Sequence, residues 1–197
     1  MYYDKTIENQ IAIDEAPEHR IEGGQINETP GNLFDYENEY ALAHWISADC
    51  RFDVGLAKIF DARYSLRGAL RPPLPHVNGI CIATHEGHIF NLIVKEHQYE
   101  MPTMTAIENA LRHMKNIAEE RGIYKIALPR IYADSAGISW LEVKDKLINI
   151  FAGTDFDIRV VYLNEYLDGS IIDPDMEKLN YGKDRQAIDG NTRYKYY

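Results

Sequence analysis

The chain has 197 residues, of which 45% are hydrophobic and 26% charged, and this balance excludes a wholly disordered chain and a collagen-like one. The length favours one domain with room for extensions. Acids outnumber bases by 31 to 21, and residues 1–40 hold ten acids and two bases. Nucleic-acid binding through a basic face is therefore disfavoured. The acidic arm is read either as a solvated segment that aids solubility or as a contact for a basic protein.

Two further features concern the compartment. No apolar run approaches the ~20 residues that a membrane helix needs, and the first residues lack the basic and apolar regions of a signal peptide. We therefore expect no membrane contact and a cytoplasmic location. The two cysteines, Cys50 and Cys81, do not make a disulfide framework, which favours a reducing compartment and inert, buried thiols.

Apolar periodicity predicts a series of strands and helices after a polar, broken stretch over 1–30. The predicted elements are a strand at 41–47, a helix at 55–66, a hairpin with strands 79–84 and 89–94, a helix at 103–121, a strand at 125–128, a helix at 139–151 and a strand at 157–163. Capping-box patterns occur at Thr105 with Glu108 and at Ser139 with Glu142.

Strands that alternate with helices predict an α/β sandwich with a largely parallel sheet. In such sheets ligands bind beyond the carboxyl ends of the strands. The loops expected to carry function are therefore those at 48–55, 95–102 and 129–139.

The standard cofactor signatures are missing, because the chain contains neither a GxGxxG nor a Walker sequence. His85 and His88 flank the hairpin turn, and His76 and His97 are near in sequence. A metal site would need further ligands converging on these histidines, so neither a metal nor a cofactor is predicted.

Lys95 ends an apolar strand at the edge where ligands gather. Such a lysine is either a desolvated amine with a lowered pKa that can attack a sugar carbon, or a strand-end lysine whose ammonium reaches water. Periodicity alone favours the second interpretation.

Several motifs in chain order carry a family resemblance. They are Gly-Asn-Leu-Phe at 31–34, Ala-Leu-Ala-His-Trp-Ile-Ser-Ala-Asp-Cys-Arg at 41–51, Leu-Ile-Val-Lys at 92–95, Met-Pro-Thr at 101–103, Leu-Pro-Arg-Ile at 128–131 and Ser-Trp at 139–140. Over about residues 26–163 the chain resembles the macrodomain family, in the branch of the terminal ADP-ribose protein glycohydrolases and their phage-encoded relatives.

The resemblance implies a three-layer macrodomain-like sandwich over 26–163, with a mixed, mostly parallel sheet between helices. It leaves an acidic extension at 1–25 and a polar, tyrosine-containing extension at 164–197. It also implies ADP-ribose or a related nucleotide as the ligand, with Lys95 attacking the anomeric carbon of the distal ribose. The ligand-binding residues that it implies are Asn32, Leu33, Ser47, Asp49, Asp53, Gly55, Arg130 and Tyr132.

The chain departs from the family pattern at three places. Where the family has an acid–base aspartate this chain has Ala136, and Asp134 stands on a family glycine as a displaced acid–base group. Asn32 replaces an aspartate that recognises the adenine amino group, and Asp53 replaces a glycine of a glycine-rich loop. Asp53 and Asp134 would bring negative charge towards a diphosphate. We therefore expect weakened binding and, at most, weak glycohydrolase activity.

A second hypothesis stays open from the sequence. The fold would be reused by a non-catalytic structural or interaction protein, for example a phage virion or assembly component. The terminal extensions would then dock a protein partner through their tyrosines.

Overall fold

The computed structural model of the chain describes residues 19–21, 24–72, 74–75, 79–130 and 138–162. Within them, seven strands and four α-helices follow one another, with 3₁₀ turns at Leu33–Tyr36 and His85–Gly87. The strands are β1 (His19–Ile21), β2 (Gly24–Pro30), β3 (Ala41–Ser47), β4 (Ile80–Thr84), β5 (Ile89–Lys95), β6 (Lys125–Pro129) and β7 (Asp157–Tyr162). The helices are α1 (Gly55–Tyr64), α2 (Leu66–Leu70), α3 (Met104–Arg121) and α4 (Trp140–Phe151).

All seven strands form one sheet in the order β1-β2-β7-β6-β3-β5-β4. The five central strands are parallel neighbours, whereas β1 and β4 pair antiparallel at the two edges. The predicted mixed, mostly parallel sheet and the predicted hairpin are thus confirmed. The boundary expected at residue 26 falls inside β2, because Gln25 already pairs with Asp157 of β7.

Helices cover both faces of the sheet and confirm the three layers. On one face, α3 and α4 pack on a cluster that includes Phe90, Leu92 and Val94 of β5. On the other face, α1 and α2 pack on a cluster that includes Ile89 and Ile93. Successive residues of β5 face opposite layers, which explains why a strand covered on both sides has an almost continuous apolar sequence.

The helix caps partly match the sequence patterns. Ser139 and Glu142 form the predicted capping box at the start of α4. The box predicted at Thr105 is wrong, because Thr103 is the N-cap and its hydroxyl accepts from the Ala106 N–H at 3.1 Å. Glu108 instead pairs with Arg112 on its own helix at 2.8 Å and with Lys146 of α4 at 2.7 Å.

Most predicted elements differ from the structure by one residue at an end, and the helix predicted over 55–66 differs most. The helix predicted over 55–66 ends at Tyr64, since Ser65 adopts a left-handed conformation with φ of 50° before α2 begins. Gly79 precedes β4 with φ of +90°, and a Cβ built there would lie 1.9 Å from the carbonyl oxygen of Ala106. A glycine is required at that position because α3 passes so close to the chain.

A buried polar pair lies between neighbouring strands β3 and β5. His44 Nε2 lies 2.8 Å from Asn91 Oδ1, and the Asn91 amide donates to Ile82 O at 2.9 Å and Thr84 Oγ1 at 3.1 Å. Because the Asn91 oxygen faces the histidine, His44 carries its proton on Nε2. The ring stacks on Phe60 at 3.9 Å between centroids, and burial, opposed by the Asn91 hydrogen bond, lowers the pKa of His44 to about 4.

The predicted extension at 1–25 lies largely outside the described residues, and the one at 164–197 lies wholly outside them. Tyr132, Asp134 and Ala136 also lie outside the described residues. None of the helices in the described part of the chain is long and apolar enough to cross a membrane.

Candidate functional site

The five central strands end together at one edge of the sheet, as parallel strands must. The loops that follow β2, β3, β5 and β6 begin at this edge, and all predicted site residues within the described part of the chain lie on or beside them. Polar side chains and backbone groups at the carboxyl ends of neighbouring parallel strands are positioned to share one ligand.

Lys95 owes its position to an irregularity in β5. Ile46 of β3 pairs with Ile93, but the next residue, Ser47, pairs with Lys95, so β5 carries one extra residue, Val94. A bulge of this kind bends the strand and redirects the side chain beyond it. Pairing then continues, because the Ala48 N–H donates to Lys95 O at 3.0 Å. The lysine is therefore held on a strand rather than on a loose loop.

A chain of hydrogen bonds joins Lys95 to the end of β3. Lys95 Nζ donates to Gln98 O at 2.7 Å, and the Gln98 N–H donates to Asp49 Oδ2 at 3.2 Å. The other oxygen of Asp49 accepts from Ser47 Oγ at 2.5 Å. Ser47 is buried, so its hydroxyl orients Asp49. The predicted residues Ser47, Asp49 and Lys95 are thus brought together in one network.

The pKa shifts follow from this arrangement. Burial lowers the pKa of Lys95, although the negative charges of Asp49 and Glu100 oppose that effect. Burial would raise the pKa of Asp49, but the hydrogen bonds from Ser47, Gln98 and Arg51 outweigh it, and the net shift is downward. Asp49 therefore stays charged at neutral pH, while the neutral amine of Lys95 is easier to form than in water.

Residues 96–100 form a tight turn directly after Lys95. Glu100 Oε2 accepts from the backbone N–H groups of Glu96 at 3.1 Å and His97 at 3.0 Å, which fixes the turn from within. The His97 ring lies between two carboxylates, with Nδ1 3.7 Å from Asp49 Oδ2 and Nε2 3.5 Å from Glu96 Oε1. The sequence pattern singled out the loop and named His97 among the histidines, but it gave no role to Glu96 or Glu100, because their roles arise from the turn's conformation.

The same turn offers potential metal ligands. One ligand atom from each of Glu96, His97 and Glu100 lies within 4.8 Å of the other two. One of these ligand groups is already engaged, because the Glu100 carboxylate accepts hydrogen bonds from two backbone N–H groups of the turn.

The start of α1 presents backbone donors to the same edge. Gly55 has φ of +64°, and Val54, which stands at the N-cap position, makes no side-chain capping bond. Uncapped N–H groups at a helix N-terminus attract anions such as phosphate. Gly55, predicted as a ligand-binding residue, thus lies where a backbone contact is available.

Asp53 has a different environment from the one that the sequence predicted. Its carboxylate lies 3.7 Å from Arg51 Nε and 3.8 Å from Arg67 Nη2. The negative charge expected to repel a diphosphate is therefore accompanied by two guanidinium groups. This pairing could not be read from the sequence, because Arg67 comes from α2.

Asn32 and Leu33 follow β2 and begin a 3₁₀ turn. Asn32 Oδ1 caps the turn by accepting from the Phe34 N–H at 3.1 Å. The Leu33 side chain is buried in the core, so its backbone is what remains for a ligand. The structure thus adds a local structural role to the predicted ligand role of Asn32.

Arg130 belongs to a second cluster, centred on Glu28, which the sequence analysis missed. Glu28 Oε2 accepts from Arg130 Nε at 2.8 Å and from Trp140 Nε1 at 3.0 Å, and Glu28 Oε1 lies 2.6 Å from Lys144 Nζ. Arg130 also lies 3.6 Å from the centre of the Tyr162 ring. Burial would raise the pKa of Glu28, but its cationic partners lower it. No signal in the sequence indicated this cluster, because residues 1–30 were expected to be polar and broken, whereas 24–30 form strand β2 and Glu28 lies in it.

One carboxylate therefore joins Arg130, which precedes residues 131–137, to Trp140, which follows them. Tyr132 and Asp134 lie in that stretch, outside the described residues. Their predicted roles in ligand binding and acid–base catalysis remain predictions.

Comparisons with known proteins agree with this architecture. No protein-family model matches the chain. Human ADP-ribose glycohydrolase OARD1 is 28% identical over 153 residues, which are 77% of this chain and 98% of that protein. The macrodomain of Mycobacterium tuberculosis DarG superposes with a TM-score of 0.59 at 21% identity, covering 73% of this chain and all of that one. Thermosipho africanus DarTG, solved in complex with ADP-ribose, gives a TM-score of 0.55 at 12% identity over 78% of this chain and 46% of that one.

Proposed function

We propose that this chain, which belongs to the macrodomain family and is related to the ADP-ribose glycohydrolases, binds ADP-ribose across the carboxyl edge of its sheet. The observation that carries the proposal is the placement of Lys95. It is partly buried at the end of β5 beside Asp49, with its amine held by Gln98 O. The ADP-ribose seen in the Thermosipho africanus relative supports the choice of ligand.

We infer the orientation of the bound ligand from the order of the strands. Asn32 follows β2, and Lys95 ends β5, four strands further along the sheet. At about 4.8 Å between neighbouring strands, the two ends lie about 19 Å apart. In the proposed orientation, the adenine lies at Asn32 and the distal ribose at Lys95. The diphosphate lies between them, at the start of α1.

The diphosphate region combines backbone and side-chain attraction. The uncapped N–H groups at the start of α1 can donate to an anion, and Arg51 and Arg67 lie beside Asp53. Asp53 weakens the side-chain part of this attraction, and so does Asp61, whose carboxylate lies 3.8 Å from Arg67 Nε, so the backbone donors of α1 are proposed to supply most of it. Binding is therefore proposed to be weaker than in a macrodomain with glycine at that position, and still measurable.

The proposed reaction uses Lys95 as a nucleophile. The lone pair of the neutral amine forms a C–N bond at the anomeric carbon while the bond from that carbon to the modified side chain breaks. The bonding electrons leave with the side-chain atom, and the nitrogen loses its extra proton to that group or to water. Water then cleaves the ribose–lysine bond, which releases ADP-ribose and restores Lys95.

Turnover is proposed to be slow. Ala136 offers no carboxylate where the family has its acid–base aspartate, and general acid–base assistance contributes about 10²–10⁴-fold in rate. Asp134 is proposed as a partial replacement.

Calorimetry and a release assay test the proposal together. Titration with ADP-ribose should give saturable 1:1 binding, with weaker binding of AMP, which lacks the distal ribose and one phosphate. Release of ADP-ribose from modified protein should be detectable with the wild type and absent with Lys95→Ala. Absence of ADP-ribose binding would refute the proposal and favour the interaction-protein alternative. Equal release by both proteins would exclude Lys95 as the nucleophile.

A further inference from the structure

An aromatic platform stands next to Lys95, on the outer side of the proposed ligand path. We use the term for Tyr99 and His97, whose rings stack with centroids 5.2 Å apart and planes 15° apart. Tyr99 is 79% exposed, more than the other large exposed apolar side chains around this edge, Leu141, Val54 and Met101 at 69%, 58% and 54%. An exposed tyrosine supported from behind by another ring leaves a flat face available for contact.

The platform is fixed in place. The Glu100 carboxylate holds the backbone of Glu96 and His97, and Asp49 holds the backbone of Gln98. A binding surface on such a braced turn loses little conformational freedom when a partner docks.

The groups around the platform are predominantly acidic. Asp49 and Glu96 flank the His97 ring at 3.7 and 3.5 Å, and Glu100 closes the turn. The Glu96 carboxylate is half exposed. A phosphate backbone would meet repulsion here, whereas a cation would meet complementary charge.

The platform lies on the side of the cleft where the modified macromolecule would be attached to the ADP-ribose. If the ligand runs from Asn32 to Lys95, as the proposed function states, the atom attached to the distal ribose leaves the cleft at the end of β5. The turn at 96–100 continues directly from that point, with β4 as the remaining strand on that side of the described sheet. The platform would therefore contact the substrate's modified macromolecule rather than the nucleotide.

We propose that the platform binds an arginine side chain of a protein substrate, next in sequence to the ADP-ribosylated residue. A planar guanidinium stacks on the open face of Tyr99, and the negative charges of Glu96 and Glu100 in the same turn attract it at longer range. The substrate class is then an ADP-ribosylated basic protein segment. This inference rests on the proposed binding of ADP-ribose and adds the recognition of what the nucleotide is attached to.

Fluorescence anisotropy with labelled probes tests the inference. Two synthetic peptides of equal length carry ADP-ribose through the same non-hydrolysable linkage and differ only by arginine or glutamine beside the modified residue. A third probe is a single-stranded oligonucleotide that carries the same ADP-ribose group. Free ADP-ribose is measured as a competitor in every case.

The arginine peptide should bind about fivefold more tightly than the glutamine peptide. An exposed cation–π contact contributes about 1 kcal/mol, which corresponds to that difference in affinity. Tyr99→Ala and Glu96→Gln should each reduce that preference, and Tyr99→Ala should leave the affinity for free ADP-ribose unchanged. Tyr124→Ala, which removes an exposed tyrosine at the opposite edge of the sheet, should preserve the preference.

Equal affinity for the two peptides would overturn the inference, and so would tighter binding of the oligonucleotide than of the arginine peptide. In both cases competition by free ADP-ribose would show that the proposed function itself stands. Failure of free ADP-ribose to compete at all would instead refute the proposed function, and the inference with it.

Discussion

Asp49 and Gln98 tie the ends of two neighbouring parallel strands together. Asp49 Oδ2 accepts a 3.2 Å hydrogen bond from the Gln98 N–H, and the carbonyl oxygen of the same glutamine accepts from Lys95 Nζ at 2.7 Å. One peptide unit thus connects a carboxylate after β3 to the amine at the end of β5. The carboxylate positions the proposed nucleophile and also raises its pKa against the effect of burial.

This relationship predicts the pH dependence of Asp49→Asn. The amide oxygen can still accept from Gln98, but the negative charge that favours the ammonium form of Lys95 is lost. The pKa of Lys95 should fall, so a larger fraction of neutral amine is present at any pH below it. The rate of ADP-ribose release should therefore rise at lower pH than in the wild type.

The measurement is the release rate across the pH range, with Asp145→Asn as a control that removes an exposed charge from the middle of α4. A profile that moves towards higher pH would contradict the assigned coupling between Asp49 and Lys95.

Asp53→Asn should tighten ADP-ribose binding. The substitution removes the carboxylate that lies 3.7 and 3.8 Å from Arg51 and Arg67, so one negative charge near the diphosphate is lost, while Arg67 keeps Asp61 at 3.8 Å. A gain of about threefold to tenfold is expected at low salt, and it should shrink as salt screens the charges. Calorimetry at two ionic strengths measures the effect. Weaker binding by the variant at low salt would show that Asp53 itself contacts the ligand favourably.

Asn32→Asp should favour adenine over hypoxanthine as the base of the ligand. Asp is as good an N-cap as Asn, so the bond to the Phe34 N–H is retained. A carboxylate also accepts a stronger hydrogen bond from the adenine amino group, which hypoxanthine lacks. The dissociation constant of the hypoxanthine ligand, divided by that of the adenine ligand, should increase about fivefold. This corresponds to about 1 kcal/mol of additional binding free energy for adenine. An unchanged ratio would place the base away from Asn32.

His44 should make the fold sensitive to mild acid. Its folded-state pKa of about 4 lies below the ordinary value of 6.5, so the unfolded chain binds more protons between these values. Stability is therefore complete above pH 6.5 and falls as pH decreases, by about 2 kcal/mol between pH 6.5 and 5. Urea unfolding at these two pH values measures the loss.

The carboxylates with lowered pKa values, such as Glu28, contribute mainly below this window, because their ordinary pKa is 4.5. NMR of the His44 ring provides the control: the ring should remain neutral, with the proton on Nε2, down to about pH 5. Titration of that ring near pH 6.5 would contradict the assignment.

The sequence was most informative where periodicity and burial act together. The run in β5 and the apolar stripe of α3 both predicted elements that the structure contains, because each packs on a continuous core. The capping pattern at Ser139 was also a reliable local signal, whereas Thr105 matched the same pattern inside a helix whose N-cap, Thr103, lies two residues earlier. Two hydroxyl residues close to one helix start are difficult to distinguish without tertiary contacts.

The site was only partly predictable for a physical reason. Lys95 could be named because it ends a strand, but the bulge at Val94 that redirects it depends on pairing with β3. Arg67, a partner of Asp53, and the three side chains that donate to Glu28 come from other parts of the chain. Such pairings arise from the packing of elements and leave no periodic pattern in the sequence.

The central claim is that ADP-ribose lies along the carboxyl edge of the sheet, from Asn32 to Lys95. Backbone amide NMR shifts recorded as ADP-ribose is added to the ¹⁵N-labelled chain test it most directly. We expect the perturbed amides to lie at 32–34, at 53–57 and at 95–98. No perturbation in these three segments, or changes confined to the opposite edge around Glu39, Lys125 and Asp157, would contradict it.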